Sequence, residues 1–295
     1  MRSHLIGFAS ALAATSCSYD WDSYDPRLAA AAQATNASSG ATGGSGQGGA
    51  TTAMVASSSM SAGGAGGAPE LSYRDVVLED APLGYWRLGE PPMSAMGMNE
   101  IAQGVPGAYV DSVELGVPGA LAGDSNTAAG FDGMTASFEL GDIFDFVGMA
   151  AFSLEAWIRP TSYSGDYQGV FSKEMYDVDG REGYLLTVRG GEFIAVERWR
   201  DGVQTWVGVP SPPTGSFVHV VATFDGTTMC IYLDVSMSSC VTSDVILADT
   251  SAPLLIGHRG APSETFAGVI DEIAIYDHAL SSARINAHYA AGVGP

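Results

Sequence analysis

Four Asp-Gly pairs, starting at Asp132, Asp179, Asp201 and Asp225, punctuate runs rich in Val, Ile, Phe, Tyr and Trp. Asp-Gly tolerates the positive φ angles of tight hairpin turns, so this spacing constrains the chain to antiparallel strands. Strands are expected at Phe152–Arg159, Gly169–Lys173, Tyr184–Arg189, Phe193–Arg200, Val203–Val209, Phe217–Phe224, Met229–Leu233, Leu254–Gly257 and Val269–Tyr276. No long helical patterns alternate with them, which argues against a parallel sheet and for an all-β, two-sheet antiparallel sandwich. One helix is expected near the end, with Ser281 capping SSARINAHYAA and Gly292 terminating it, and a shorter one over Ser72–Asp80.

The hairpin ERWRDGVQTW (197–206) can be read to the residue. With Asp201 and Gly202 as a two-residue turn, Trp199 faces Gln204 and Glu197 faces Trp206. Ile194, Val196, Val207 and Val209 then form an apolar core face, while Glu197, Trp199, Gln204 and Trp206 share the opposite face. Two indoles beside an acid and an amide suit a sugar, whose C–H faces stack on rings while hydroxyls bond polar groups. The competing explanation is plain cross-strand stabilisation. Tyr163, Tyr167 and Tyr176 are weaker additions from nearby loops.

The net charge of -21, with 12 basic against 33 acidic residues and no Lys/Arg run, excludes nucleic acid as a partner. Charged residues make up 15% and hydrophobic ones 46%, which indicates a packed body with an acidic surface rather than an acidic disordered chain.

The N-terminus, MRSHLIGFASALAATSC, sets Arg2 and His4 before an apolar run and Cys17. Residues 1–17 thus read as a signal peptide. Cys17 resembles a bacterial lipoprotein processing site, although Ala14 stands where Leu is usual. An exported protein is expected, touching a membrane only through a lipid on Cys17; a plain secretory signal is the competing reading. Residues 18–70 are largely a Gly/Ser/Ala-rich tether that cannot bury enough surface to offset chain entropy. The folded domain is expected over 71–292. Cys230 and Cys240 remain as an even pair in an oxidising setting, and a turn near Val235 would set them opposite one another as a disulfide.

FSLEAWIRP (152–160), GVFSKE (169–174), GSFVHVVATFDG (215–226), CIYLD (230–234), PLLIGHRG (253–260) and FAGVIDEIAIYDHALSSARI (266–285) occur in an order that resembles laminin-G-like, concanavalin-A-like jelly-roll domains. One departure is Val235 after Asp234, where the family usually has Gly. The resemblance implies adhesion or carbohydrate recognition, often with a structural Ca2+. It places that ion at Asp271 of IDE, with Asp132 and Glu90 contributing. A second reading of Asp271 is that it accepts hydrogen bonds from loop amides.

Glycan hydrolases on this fold need two carboxylates facing one groove. In VIDEIAIYD (269–277), period two would put Asp271 and Asp277 on one face with two isoleucines between them, and Glu272 on the other, so no acid–base pair forms. Glu155 stands alone in SLEAW, the histidines are dispersed, and His219 in VHVV reads as a core histidine. No HExxH or GxSxG occurs. The expected function is therefore a non-catalytic surface module that binds a carbohydrate or extracellular partner. A purely protein-binding adhesion domain and a divergent glycan hydrolase are the alternatives.

Overall fold

The computed structural model describes residues 71–163, 167–177, 180–260 and 264–294. The expectations for the signal peptide, Cys17, the tether and the Asp179 turn lie outside these residues. Among the described residues, no helix is long and apolar enough to cross a membrane.

Helix α1 (Tyr73–Glu79) opens the domain. The strands β1 (Gly84–Trp86), β2 (Met96–Gly97), β3 (Gly107–Val110), β4 (Glu114–Pro118), β5 (Thr127–Asp132), β6 (Ser137–Glu139), β7 (Phe152–Pro160) and β8 (Tyr167–Asp177) follow. Then come β9 (Gly180–Arg189), β10 (Phe193–Arg200), β11 (Val203–Pro210), β12 (Val218–Phe224), β13 (Thr228–Leu233), β14 (Met237–Thr242), β15 (Leu255–Ile256), β16 (Ala267–Tyr276) and α2 (Ser282–Val293). Sheet 1 runs β14-β13-β12-β7-β16-β5-β4, with β1 also on β16, and sheet 2 runs β11-β10-β9-β8-β15-β6-β3-β2. All the named strand pairs are antiparallel, as expected for a jelly-roll sandwich. The main core lies between the sheets, and a second apolar layer packs both helices against the outer face of sheet 1.

Ser72 and Ser281 cap the two helices as the sequence implies, each accepting a backbone N–H with its hydroxyl. Gly292 does not end α2. It lies inside the last turn, where a Cβ would come within 2.3 Å of Trp157, so the glycine is there for close packing and Gly294 forms the cap. Cys230 and Cys240 are paired in the β13–β14 register and disulfide-bonded. The closed loop is short, so the bond adds at most about 3 kcal/mol and staples the edge hairpin of sheet 1.

The VIDEIAIYD pattern departs from strict alternation. A β-bulge between Asp271 and Ala274, with Glu272 at φ 52°, returns Ile273 and Ile275 to the core. The bulge falls where β16 changes neighbour, from β5 at residues 267–270 to β1 at 273–275. Glu272 pins that junction, accepting from Arg87 Nε at 2.9 Å, Arg87 Nη2 at 2.7 Å and the Tyr85 hydroxyl.

Glu155 is not alone, and the histidines are not all dispersed. Its buried carboxylate accepts from Tyr73 (2.9 Å) of α1, Tyr276 (2.6 Å) of β16, His219 Nε2 (2.7 Å) of β12 and His288 Nδ1 (2.9 Å) of α2. His288 Nε2 donates on to Asp80 at 2.8 Å, which also takes Arg284 at 2.6 Å. Burial alone would push Glu155 up, but His288 and His219 hold it well below the usual carboxylate range. Burial would likewise lower His288; Glu155 and Asp80 outweigh it and carry the imidazole up to about 9.

These shifts fix the sign of the pH dependence. Glu155 and Asp80, held low, stabilise the fold above their ordinary range, and that contribution is lost on acidification. His288 stabilises it in full below pH 6.5 and loses its contribution as pH rises through about 9. Glu272, pushed up to about 7 chiefly by burial, adds a loss of the same sign on the way to neutrality. Denaturant titrations from about pH 6 to about pH 9.5 are expected to show stability falling by roughly 3 kcal/mol, with a flatter alkaline limb in His288→Gln.

Candidate ligand-binding face

The hairpin register is the one read from the sequence, with Trp199 opposite Gln204, Glu197 opposite Trp206 and Val196 opposite Val207. Asp201 (φ 50°) and Gly202 (φ 75°) both occupy the left-handed region that this turn requires. Ile194, Val196, Val207 and Val209 enter the core, so Glu197, Trp199, Gln204 and Trp206 lie together on the outer face of sheet 2.

The ladders build this face in rows. Tyr167, Arg189, Phe193 and Pro210 form one row across β8–β11. The next, Gly169, Thr187, Ala195 and Gly208, is a trough of small side chains. Ser172, Leu185, Glu197 and Trp206 follow, then Glu174, Gly183, Trp199 and Gln204. At one end the His258–Arg259 backbone lies over Gly169, where a Cβ would meet it within 2.9 Å. At the other, the Trp206 ring lies against Gly208, where a Cβ would come within 3.4 Å of it.

The expected residues have different roles within this shared face. Glu197 is 0% exposed and internally satisfied: it accepts from Thr187 Oγ1 at 2.8 Å and from Trp199 Nε1 at 3.0 Å. It is therefore a floor residue, and its assignment as a direct ligand contact is corrected. Trp199, half-buried, spends its N–H on Glu197 and packs against the Arg181 guanidinium, 4.5 Å from the ring centroid. Gln204 is exposed, and Trp206 keeps 39% of its surface accessible. Tyr163 is committed to packing on Gly191 and donating to the Pro212 carbonyl. Tyr167 and Tyr176 belong to strand β8 rather than to loops.

Sequence reasoning missed the arginines on this face. Arg189 lies 4.5 Å from the Trp206 centroid and 5.5 Å from that of Tyr167, and Arg259 lies 4.5 Å from Tyr167. The signal was present in the odd-numbered positions of REGYLLTVR (181–189), which alternation sends to the same face as Glu197.

The expected calcium set does not converge. Asp132 pairs with Ala267, four residues and about 13 Å along β16 from Asp271. Its Oδ1 is taken by the amides of Met134, Thr135 and Ala136. Glu90 accepts from the Met98 amide and the Tyr109 hydroxyl. Among the described residues no group of three His, Cys, Asp or Glu side chains could hold a metal. Asp271 itself accepts the Ala120 amide with Oδ2 at 2.8 Å, while its buried Oδ1 has no partner. Burial, with Glu272 adding repulsion, pushes this carboxyl well above its ordinary range. Of the three expected ligands, Asp271 is the one with a buried carboxylate oxygen that has no partner, and the Asn126 carbonyl lies on the side of its other oxygen, around Gly119.

Two stacked antiparallel sheets, helices on one and an aromatic outer face on the other, define a lectin-type β-sandwich. The chain belongs to the concanavalin A-like lectin/glucanases superfamily, whose laminin G model matches residues 132–286, more than half of the sequence. No curated protein matches it. The binding domain of Paraclostridial mosquitocidal protein 1 is similar with TM-score 0.57 at 14% identity, over 72% of this chain and 52% of its own. The receptor-binding domain of botulinum neurotoxin D gives TM-score 0.55 at 12% identity, over 72% and 53%. Trypanosoma rangeli sialidase, solved with sialic acid, gives 0.50 at 13% identity, over 70% and 32%. The chain thus spans about half the length of the toxin domains and a third of the sialidase, and at these identities the likeness shows the fold alone.

The unequal roles of the indoles are testable without a ligand. Trp199→Ala removes a buried carboxylate's donor and is expected to cost about 3 kcal/mol in denaturant titrations. Trp206→Ala is expected to cost below about 1 kcal/mol.

Proposed function

We propose that this chain is a non-catalytic recognition domain that binds a carbohydrate on the outer face of sheet 2, around Trp206. The observation that carries the reading is that Trp206 keeps 39% of its surface exposed on β11, an edge strand paired along its whole length with β10, beside exposed Gln204. An aromatic held in place beforehand loses little entropy on stacking with a sugar ring. The hydrolase alternative is disfavoured because Asp271 and Glu272, adjacent acids on β16, are buried and Glu272 is committed to Arg87 and Tyr85. The relatives solved as binding domains are consistent with this reading. Export and lipidation at Cys17 belong to the same proposal, which presents the domain outside the cell on its tether.

Glycan-array binding by wild type, lost in Trp206→Ala at unchanged thermal midpoint, is the expected result. Capture of extracellular protein with no glycan signal would favour the protein-binding alternative, and sugar release dependent on Asp271 or Glu272 would favour the hydrolase.

A second reading rests on the unpartnered Oδ1 of Asp271. We infer that Asp271 contributes one carboxylate to a structural calcium site, without Asp132 or Glu90. Millimolar calcium is expected to raise the thermal midpoint of wild type and leave that of Asp271→Asn unmoved, since a cation bound only by the folded state stabilises it.

A further inference from the structure

Sheet 2 ends, at the edge opposite β11, on the short strand β2. The stretch that forms this edge, PPMSAMGM (91–98), holds three of the chain's 11 methionines within six residues. All three are exposed, Met93 to 98%, Met96 to 42% and Met98 to 62%. The backbone dictates where they point. A Cβ on Gly97 would strike the Phe138 ring at 2.6 Å, so position 97 faces the core, and Asn99 turns its amide oxygen inward to the Tyr85 and Ile101 N–H groups. Alternation therefore sends Met96 and Met98 together to the solvent side, with Cα atoms about 7 Å apart.

Met93 occupies the third position of a turn closed by the Ser94 amide on the Pro91 carbonyl at 3.1 Å, with φ 71°. Glycine meets that backbone requirement at least cost, yet a methionine stands there. Its Cα lies at most about 11 Å from that of Met96. Glu90 ties the far end of the loop by accepting the Met98 amide at 2.7 Å, and its other oxygen takes the Tyr109 hydroxyl. From Pro91 to Met98 the chain has no carboxylate, imidazole or thiol side chain. The side-chain donors gathered here are thioethers and one serine hydroxyl, and thioethers select copper(I) where calcium and magnesium demand oxygen.

We propose that Met93, Met96 and Met98 form a binding site for a soft monovalent cation, copper(I), held by their sulfurs at the β2 edge of sheet 2. Three rotatable bonds let each exposed thioether swing onto a shared ion. The net charge of -21 draws cations of every kind to the surface, and the sulfurs discriminate among them. This site stands apart from the carbohydrate reading and does not depend on it.

The test uses the full chain carrying Cys17→Ser, which has no free thiol because Cys230 and Cys240 are disulfide-bonded. Its methionine methyl resonances would be followed by nuclear magnetic resonance during titration with silver(I), a redox-inert stand-in for copper(I), and then with copper(I) under anaerobic conditions. The signals of Met93, Met96 and Met98 are expected to shift together and saturate at one ion per chain. Met237, comparably exposed on the far edge of sheet 1, and buried Met229 are expected to stay in place. Zinc and calcium at the same concentration are expected to move none of the three. Replacing all three by leucine keeps an apolar surface without sulfur, and is expected to abolish binding at unchanged thermal midpoint. Silver shifts spread equally over Met237, no saturation, or full affinity in the leucine variant would overturn the proposal. The wild-type methyl shifts decide the matter even where the variant fails to fold.

Discussion

Period-two alternation, locked in register by the turn at Asp201–Gly202, is the constraint on which the candidate site depends. It sends Val196 and Val207 into the core and, by the same geometry, puts Trp206 and Gln204 on the outside. A slip of one residue would exchange the two sets and bury an acid, an amide and two indoles in the core. The hydrophobic side of the hairpin thus selects the register, and the polar-aromatic side follows from it. Presentation of the site and packing of the sandwich are therefore one event.

The two faces of the molecule use buried charge for different ends. On sheet 1, the Glu155 carboxylate gathers donors from both helices and from β12 and β16, so the helices are fixed in direction as well as pressed on by apolar contact. Both oxygens of that carboxylate are taken by donors from within the protein. On sheet 2, guanidinium groups rest on aromatic rings, and Glu197 orients one indole. The core end of β10 shows a third use: Arg198, brought down to about 10 by burial, bonds the carbonyls of Gly148 and Val245 and ties two rim loops to the sheet.

Much of this was legible in the sequence, because strand identity, hairpin register and the cysteine pair depend on local periodicity and turn chemistry. The face shared by Glu197 and Trp206 was readable, but not the depth of each residue, which is set by Thr187 on the neighbouring strand. The bulge at Glu272 was not readable either, since it arises from a change of strand partner rather than from any local motif. Glu155 looked isolated because its partners lie 64 to 133 residues away. The short strands β2 and β3 were missed because they span few residues and include Gly97 and Gly107, which pack against Phe138 where a side chain would not fit.

The central claim is that ligand is held on the outer face of sheet 2 at Trp206. Nuclear magnetic resonance of the indole N–H groups during saccharide titration addresses it most directly, because the tryptophans sample separate regions of the fold. The account predicts that the Trp206 signal and the Nε resonance of Arg189 shift together and saturate, while Trp157, under the helices on sheet 1, stays in place. Shifts confined to Trp157 and the helix-covered side, with Trp206 unmoved at saturation, would contradict it.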